Sequence, residues 1–451
     1  MDVFVSTVKS QRFPLDGFDE IVSGIYIPCY CWFENNSLTE KSWTAFMSPE
    51  ILRLSFYRTL QDFPILAGRF KTDKHSRGYV EIESSNLNMP VYTDTDWDID
   101  FKQMRDAGFA TKLLPESFEG VCGIVAASKL AIVSAKLGIF HIRRLKNFSG
   151  VVIFASIAHA IVDAYGYFAF MSRWAELSKW TQQNVGNTTP PVPTRAFVFD
   201  RSIHANYKIN NTDALDNLTL ESMANGSIST RFLAWLPIDK PYVTLLVARA
   251  KEKASADWWS RPVPSAVRAA FGAKLGEHTG FLTTVAVNIR PRIEHTGTDN
   301  YTGNMSLGKY IWFPQDMVQV EPTDKALSAL ALKTHQAVSD VDKEYIGQFG
   351  HLLNKEPDSY MRLTLCNAKH RRKLVISTQV RFAHYKVDFG AGTPLLVRFT
   401  PYAFPDVVLV MPGNPEIGGY EITLNLAPEI AAHVIQDAGW MKMVDKYDCI
   451  I

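Results

Sequence analysis

The chain reads as an α/β protein of two domains, and three observations predict it. Its 451 residues are more than one compact hydrophobic core serves. Both halves alternate short β-branched apolar runs with segments whose apolar residues recur at helical spacing, the pattern of sheets flanked by helices. Between the halves, residues 181–229 turn polar and rich in Asn, Pro, Ser and Thr, the composition of a linker or a long surface crossover. The expected division is an N-terminal domain over 1–185, a crossover linker over 186–229 and a C-terminal domain over 230–451.

Composition narrows the function classes. Apolar residues make up 47% and charged residues 21% of the chain, as in an ordinary globular protein. With 47 basic against 46 acidic residues the formal charge is +1, so neither a nucleic-acid surface nor an anionic membrane partner is expected. Any bound anion must be met by local charge. Cys29, Cys31, Cys122, Cys366 and Cys449 are odd in number and never spaced C-x-x-C, which argues against a disulfide framework and a zinc site. The opening MDVFVSTVKSQRF has neither the basic head nor the apolar core of a signal peptide. Cys449 stands third from the end, where a prenylation box needs it fourth. A cytoplasmic location is the resulting expectation, with sequons such as Asn147, Asn187 and Asn225 unused.

In chain order, residues 1–34 suggest short strands around Pro14 and Pro28. Ile51, Leu52, Leu54, Phe56 and Leu60 form a helical stripe that Pro64 terminates, and Phe63-Pro-Ile-Leu-Ala-Gly-Arg69 leads on into a strand. From Gly120 to Phe154 the runs VCGIVAA, LAIVSAKLGIF and VVIF, parted by polar breaks such as 143–147, predict consecutive strands. Past the linker, 265–277 predicts a helix, 282–293 a strand and 323–343 a long amphipathic helix. Further strands are expected over 374–382 and on both sides of a Gly/Pro turn within 407–426.

The stretch from Val151 to Phe170, VVIFASIAHAIVDAYGYFAF, organises the first half. It is almost wholly apolar yet carries His159 and Asp163 at its centre, with Gly166 shortly after. An ionisable pair at mid-bilayer would be costly, and Val151–Ile157 has strand length and composition, so a membrane span is rejected. The spacing predicts a buried strand, a sharp exit carrying His159, and a helix from about Asp163 whose apolar face continues through Phe168, Phe170 and Trp174. Such a histidine is, by itself, more often a hydrogen-bonded core residue than a catalytic group. Competing motifs fail. Gly303–Lys309 has phosphate-loop spacing, but Tyr310 stands where Ser or Thr must hold magnesium. Gly390-Ala-Gly392 continues into Thr-Pro, so it is no dinucleotide fingerprint, and neither G-x-S-x-G nor H-E-x-x-H occurs.

His159-x-x-x-Asp163 resembles the signature of the CoA-dependent acyltransferases called BAHD, relatives of chloramphenicol acetyltransferase and of peptide-synthetase condensation domains. Other segments are similar to that family in the same order. Phe63–Arg69 looks like its YPLAGR turn, Phe170–Leu177 like the helix after its histidine, and Pro190–Arg201 like the Pro-rich segment joining its domains. Tyr301-Thr-Gly-Asn304 is similar to its YFGN element, and Asp388-Phe-Gly-Ala-Gly392 to its Asp-Phe-Gly-Trp-Gly signature, with Ala391 in place of tryptophan. The resemblance spans nearly the whole chain and is weakest over 206–261. It implies a monomer of two similar chloramphenicol-acetyltransferase-like domains, each a mixed β-sheet flanked by helices. An active-site channel would run between them, and residues near 375–395 would pack at the domain interface.

The implied activity is transfer of an acyl group, acetyl being the expected one, from CoA to a hydroxyl or amine of a small secondary-metabolite acceptor. Acyl-CoA is then a co-substrate, with no permanently bound cofactor and no metal. His159 would take the acceptor's proton, since an imidazole with pKa near 6.5 suits that task at neutral pH. Asp163 would serve as structural partner of Arg290, the alternative being a triad-like orientation of His159. Asp388, Gly390 and Gly392 would shape a loop near the CoA entrance. Gln379 takes the position of a tryptophan in plant hydroxycinnamoyl transferases and would meet the oxyanion. Ser265, Arg371, Arg372 and Lys373 are the candidates for the CoA phosphates. A rival expectation keeps the scaffold as a cyclase or isomerase, or as a non-catalytic metabolite binder.

Overall fold

The computed structural model describes the chain except residues 1, 23–24, 37–45, 75–76, 110–112, 114–135, 185–188, 194–196, 202–243, 251–268, 270–279, 294–299, 319–323, 356–371, 400–405, 416–417, 427, 442–443 and 451. Two compact units emerge. Residues 1–203, 295–304 and 381–400 form the first, and 204–294, 305–380 and 401–451 the second. The first unit thus takes in two segments that a contiguous boundary at 230 assigns to the second domain. No helix among the described residues is long and apolar enough to cross a membrane.

In the first unit, β1 (Gln11–Pro14), β3 (Arg69–Thr72) and β4 (Gly78–Ile82) make a small sheet with β4 in the middle. Strands β2 (Tyr26–Glu34), β5 (Val91–Trp97), β6 (Gly138–Leu145), β7 (Gly150–Ala158) and β12 (Leu396–Phe399) make a five-stranded sheet ordered β12-β2-β7-β6-β5. It is mixed: β5 and β6 run parallel, the other pairs antiparallel. Central β7 is buried along all nine of its residues, which is why it reads as one apolar run instead of an alternation. The polar break expected over 143–147 is instead strand as far as Leu145. Arg144 is accommodated there because Asp94 of the neighbouring β5 accepts its guanidinium through both carboxylate oxygens, at 2.8 and 2.9 Å.

Three helices matter to this unit. Short α1 (Gly17–Glu20) opens on a capping box in which Asp16 and Asp19 exchange side-chain bonds. Helix α2 (Pro49–Asp62) starts on its proline and stops before Pro64, as its apolar stripe predicts. Helix α3 (Ala164–Gln183) lies beside it, and the Trp174 indole N–H donates to the Leu52 carbonyl of α2 at 3.0 Å. Both helices pack on β6 through Phe140, which lies 4.8 Å from Phe56 and 5.9 Å from Trp174, ring centre to ring centre.

Two histidines of this core predict an acid weakness. His384 is sealed among Phe168, Phe382 and Phe399, and burial lowers it to about 4. His141, stacked on Phe154, is also lowered to about 4 by burial and by the nearby Arg143 charge. In the unfolded chain each would titrate near 6.5, so between about 6.5 and 4 the unfolded state binds more protons. The stabilisation is therefore complete above about pH 6.5 and falls as pH drops, by up to about 1.4 kcal/mol per pH unit for each ring. The thermal midpoint should fall between about pH 7 and pH 4.5, and less steeply in His384→Leu; equal slopes would refute the assignment.

Among the described residues, the second unit holds a seven-stranded sheet. Its strands are β8 (Thr244–Ala250), β9 (Gly280–Asn288), β10 (Ser306–Pro314), β11 (Arg372–Thr378), β13 (Val407–Pro412), β14 (Tyr420–Leu426) and β15 (Val444–Ile450), ordered β10-β9-β11-β13-β14-β8-β15. Only β11 runs parallel to its neighbours, so this sheet is mixed too. Phe281, Ile311, Leu374, Val408, Leu424 and Trp440 belong to its core. The strand expected over 282–293 stops at Asn288, whose side-chain oxygen accepts from the Arg290 N–H at 3.1 Å, and a 3₁₀ turn over Arg290–Arg292 follows. The helix expected over 323–343 is α4 (Asp324–Ser339), and α5 (Lys343–Lys355) comes directly after it. Asp342 starts that second helix by accepting from the Tyr345 N–H at 2.8 Å. Of the helix expected over 265–277, only buried Ala269 falls among the described residues.

Candidate active site

The end of β7 fixes His159. Its backbone N–H donates to the Ile25 carbonyl at 2.8 Å, and the Ile161 N–H turns back to the Ala158 carbonyl at 3.1 Å. Asp163 then caps α3, its carboxylate accepting from the Gly166 N–H at 3.1 Å. Strand, turn and helix therefore hold the half-buried imidazole from both sides. Its Nδ1 lies 3.0 Å from Oδ1 of Asn304, while Nδ2 of that asparagine donates to the His159 carbonyl at 2.7 Å and to Asp19 Oδ1 at 2.9 Å. Burial pushes the ring below its usual pKa. Hydrogen bonds to the backbone at His159 and Val162, the Asp163 charge and Asn304 oppose that push without reversing it.

Behind Asn304 stands a buried ion pair. Arg201 donates from Nε to Asp19 Oδ2 at 2.8 Å, with neither side chain more than 4% exposed. Burial pushes the Asp19 carboxyl up from its ordinary range, and the Arg201 guanidinium pulls against this. Burial would lower Arg201, but the Asp19 charge overrides it and raises the guanidinium. The same guanidinium also donates to the Phe199 carbonyl at 2.9 Å and lies 5.5 Å from the centre of the Tyr301 ring. Two glycines permit this packing. A Cβ on Gly303 would crowd both Tyr301 and Arg201, and one on Gly166 would clash with the Thr302 carbonyl. An alanine at 166 would thus push the 302–304 backbone, and Asn304 with it, away from the imidazole.

Sequence reasoning assigned no chemistry to Asp19, Arg201 or Asn304. Two of them lie inside segments whose family likeness was legible, Pro190–Arg201 and Tyr301–Asn304, and that was the available signal. Asp19 had no such signal.

The Asp388 loop is built on α3. Asp388 accepts from the N–H groups of Gly390 at 2.8 Å and Gly392 at 3.0 Å, and from Lys179 Nζ at 3.1 Å. Burial pushes its carboxyl up, but these donors prevail and hold it below the ordinary value. Gly390 and Gly392 have φ of +96° and +92°, which only glycine adopts freely. Ser178 and Gln182 donate to the Phe389 carbonyl at 3.2 and 2.6 Å, and the Phe389 ring packs edge-on against Phe33 and Trp174. The loop is therefore anchored by Phe389 and its carbonyl, next to half-buried Ala391.

The remaining candidates lie in the second unit. Arg290 is buried in its 3₁₀ turn, and Gln379 follows β11 with its N–H donating to the Val410 carbonyl at 2.8 Å. Ser265 and Arg371 lie outside the described residues, as do the side chains of Arg372 and Lys373, whose backbone opens β11. Among the described residues no three of His, Cys, Asp and Glu are grouped to hold a metal.

Two mixed α/β units, one of them presenting an imidazole at the exit of a buried strand, define the class that comparison with known proteins specifies. A profile of the Transferase family covers residues 5–439. The chain is 24% identical to BAHD acyltransferase BIA1 of Arabidopsis thaliana over 95% of this chain and 92% of that protein. It is 22% identical to akuammiline synthase 2 of Alstonia scholaris, over 84% and 79% of the two chains. Among solved structures, TRI101 of F. graminearum, complexed with coenzyme A and deoxynivalenol, superposes with a TM-score of 0.70 at 14% identity, covering 97% of this chain and all of that one, 100%. Vinorine synthase superposes with a TM-score of 0.63 at 17% identity, covering 98% of each chain. The chain belongs to the Transferase family of BAHD acyltransferases, and its two-unit fold is theirs.

Proposed function

We propose that this acyltransferase moves an acyl group from CoA, acetyl in the first instance, to a hydroxyl or amine of a small secondary-metabolite acceptor, as a cytoplasmic monomer. Acyl-CoA is a co-substrate and leaves as free CoA. One observation carries the assignment of His159: the end of β7 fixes an imidazole that burial keeps neutral at pH 7, as a base must be. His159 takes the acceptor's proton while the acceptor oxygen or nitrogen bonds to the thioester carbonyl carbon. The carbonyl π electrons move onto its oxygen, and an N–H₂ donor such as that of Gln379 meets the oxyanion. Collapse of the tetrahedral intermediate re-forms the carbonyl and breaks the carbon–sulfur bond. The leaving CoA thiolate takes the proton back from the imidazolium, and neutral His159 returns. Ser265, Arg371, Arg372 and Lys373 are the proposed holders of the CoA phosphates. The complexes of TRI101 with coenzyme A support the donor, and those with deoxynivalenol and T-2 mycotoxin support a small organic acceptor.

The test is a melting experiment followed by turnover. Acetyl-CoA at about 100 times its Kd should stabilise the native state by about 2.7 kcal/mol and raise the melting temperature. Acetyl-CoA mixed with a panel of alcohols and amines should then release free CoA with some of them. A melting temperature indifferent to acetyl-CoA and to longer acyl-CoAs would favour a cyclase, an isomerase or a binder on the same scaffold.

A further inference from the structure

We propose that Asn304, oriented by the buried Asp19–Arg201 pair, is a positioning residue that holds His159 protonated at Nδ1 and leaves Nε2 to take the acceptor's proton. This rests on the role of His159 given above. Shape alone does not orient an amide, because its oxygen and nitrogen ends are nearly alike; the hydrogen-bond network decides. Here Nδ2 of Asn304 faces the His159 carbonyl at 2.7 Å and Asp19 Oδ1 at 2.9 Å, two oxygens that can only accept while Asp19 is ionised. Turning the amide over would set its oxygen against both, one of them a buried carboxylate. Oδ1 must therefore face the ring, where it lies 3.0 Å from Nδ1. A carbonyl oxygen has no proton to give, so the proton of that bond belongs to Nδ1 and the lone pair of the neutral ring to Nε2.

The ion pair explains why this orientation persists. Asp19 is wholly buried and is kept ionised by Arg201, which reaches it from Nε at 2.8 Å and Nη2 at 3.5 Å. An ionised Asp19 cannot donate, so the amide has one orientation only. When His159 takes up a proton, its Nδ1–H bond to Oδ1 strengthens, and the carboxylate polarises the amide in the favourable sense. The neutral amide also keeps the carboxylate off the ring, so Asp19 supports the imidazolium without accepting its proton. The charge that faces the ring from its own segment is Asp163, which is occupied in capping α3.

Long-range ¹H–¹⁵N correlation spectra of protein labelled with ¹⁵N-histidine read the tautomer and need no acceptor. The His159 signal is the one missing from His159→Gln. Wild-type protein at about pH 7.5 should show Nδ1 protonated and Nε2 bare, and Asn304→Ala should lose that preference. The same variant should release CoA from acetyl-CoA about 10- to 100-fold more slowly in kcat, by analogy with groups that orient a metal-ligating imidazole, with KM for acetyl-CoA unchanged. An Nε2-protonated His159 in the wild type overturns the proposal even if Asn304→Ala does not fold. So does an Asn304→Ala protein that keeps both tautomer and kcat. A His159→Gln protein that releases CoA at the wild-type rate would instead remove the base role and leave the tautomer standing.

Discussion

His159→Ala is expected to fold and to turn over roughly 10²- to 10⁴-fold more slowly, the range for losing a general base. Folding should survive because the backbone of the strand exit is held by Ile25 and Ala158 and does not depend on the ring. The variant loses the ring's hydrogen bonds to Asn304 Oδ1 and to the backbone at His159 and Val162. In the parent, kcat/KM should climb with pH through an apparent pKa below the ordinary imidazole value, because burial favours the neutral ring. Turnover near the parent's, or a profile flat across the histidine range, would remove His159 from the chemistry.

The second large effect is on stability. Arg201→Ala strands the Asp19 carboxylate in a fully buried position, and breaking such a pair from one side costs about 3 to 5 kcal/mol. At about 2 to 4 °C per kcal/mol for a domain of this size class, the melting temperature should fall by roughly 6 to 20 °C. Replacing both partners, Asp19→Leu with Arg201→Met, should recover much of that loss, since a buried ion pair can be exchanged for apolar packing at little net cost. Turnover should not recover with it, because Asn304 would then lack the carboxylate, one of the two acceptors that orient it. A single Arg201→Ala protein melting with the parent would mean that water enters and solvates Asp19.

How much of this was legible in the sequence differs by element. Central β7 was, because a strand buried on both faces needs a nearly continuous apolar run without alternation, and His159 follows that run directly. The α/β class, α2 with its terminating proline, and the two strands on either side of the Gly/Pro turn were legible for the same local reason. The polar continuation of β6 was not. Arg144 looks like a loop residue until Asp94, 50 positions earlier in the chain, is seen beside it. Asn304 and Asp19 were hidden more deeply. The contacts that join Asn304 to His159, Asn304 to Asp19, and Asp19 to Arg201 span 145, 285 and 182 residues, and a buried polar chain leaves no periodic imprint at such separations. Packing glycines marked one end of that chain, but glycine in a turn is too common to be read as a clearance beside an arginine.

The sheet that carries His159 is also finished late. Its edge strand β12 pairs with Cys29–Trp32 of β2, but Leu396 leaves the ribosome 238 residues after Ala158 closes β7. At about 5 to 20 residues per second, the nascent chain waits roughly 12 to 48 s with that edge uncovered. Asn304 too arrives 145 residues after the histidine it touches. During translation the first unit is thus a half-built sheet with apolar side chains along an unpaired rim, the state most prone to stick to its neighbours. Fast overproduction at high temperature lengthens the queue of such chains, whereas slower synthesis in the cold or chaperones that shield the rim should raise the soluble yield.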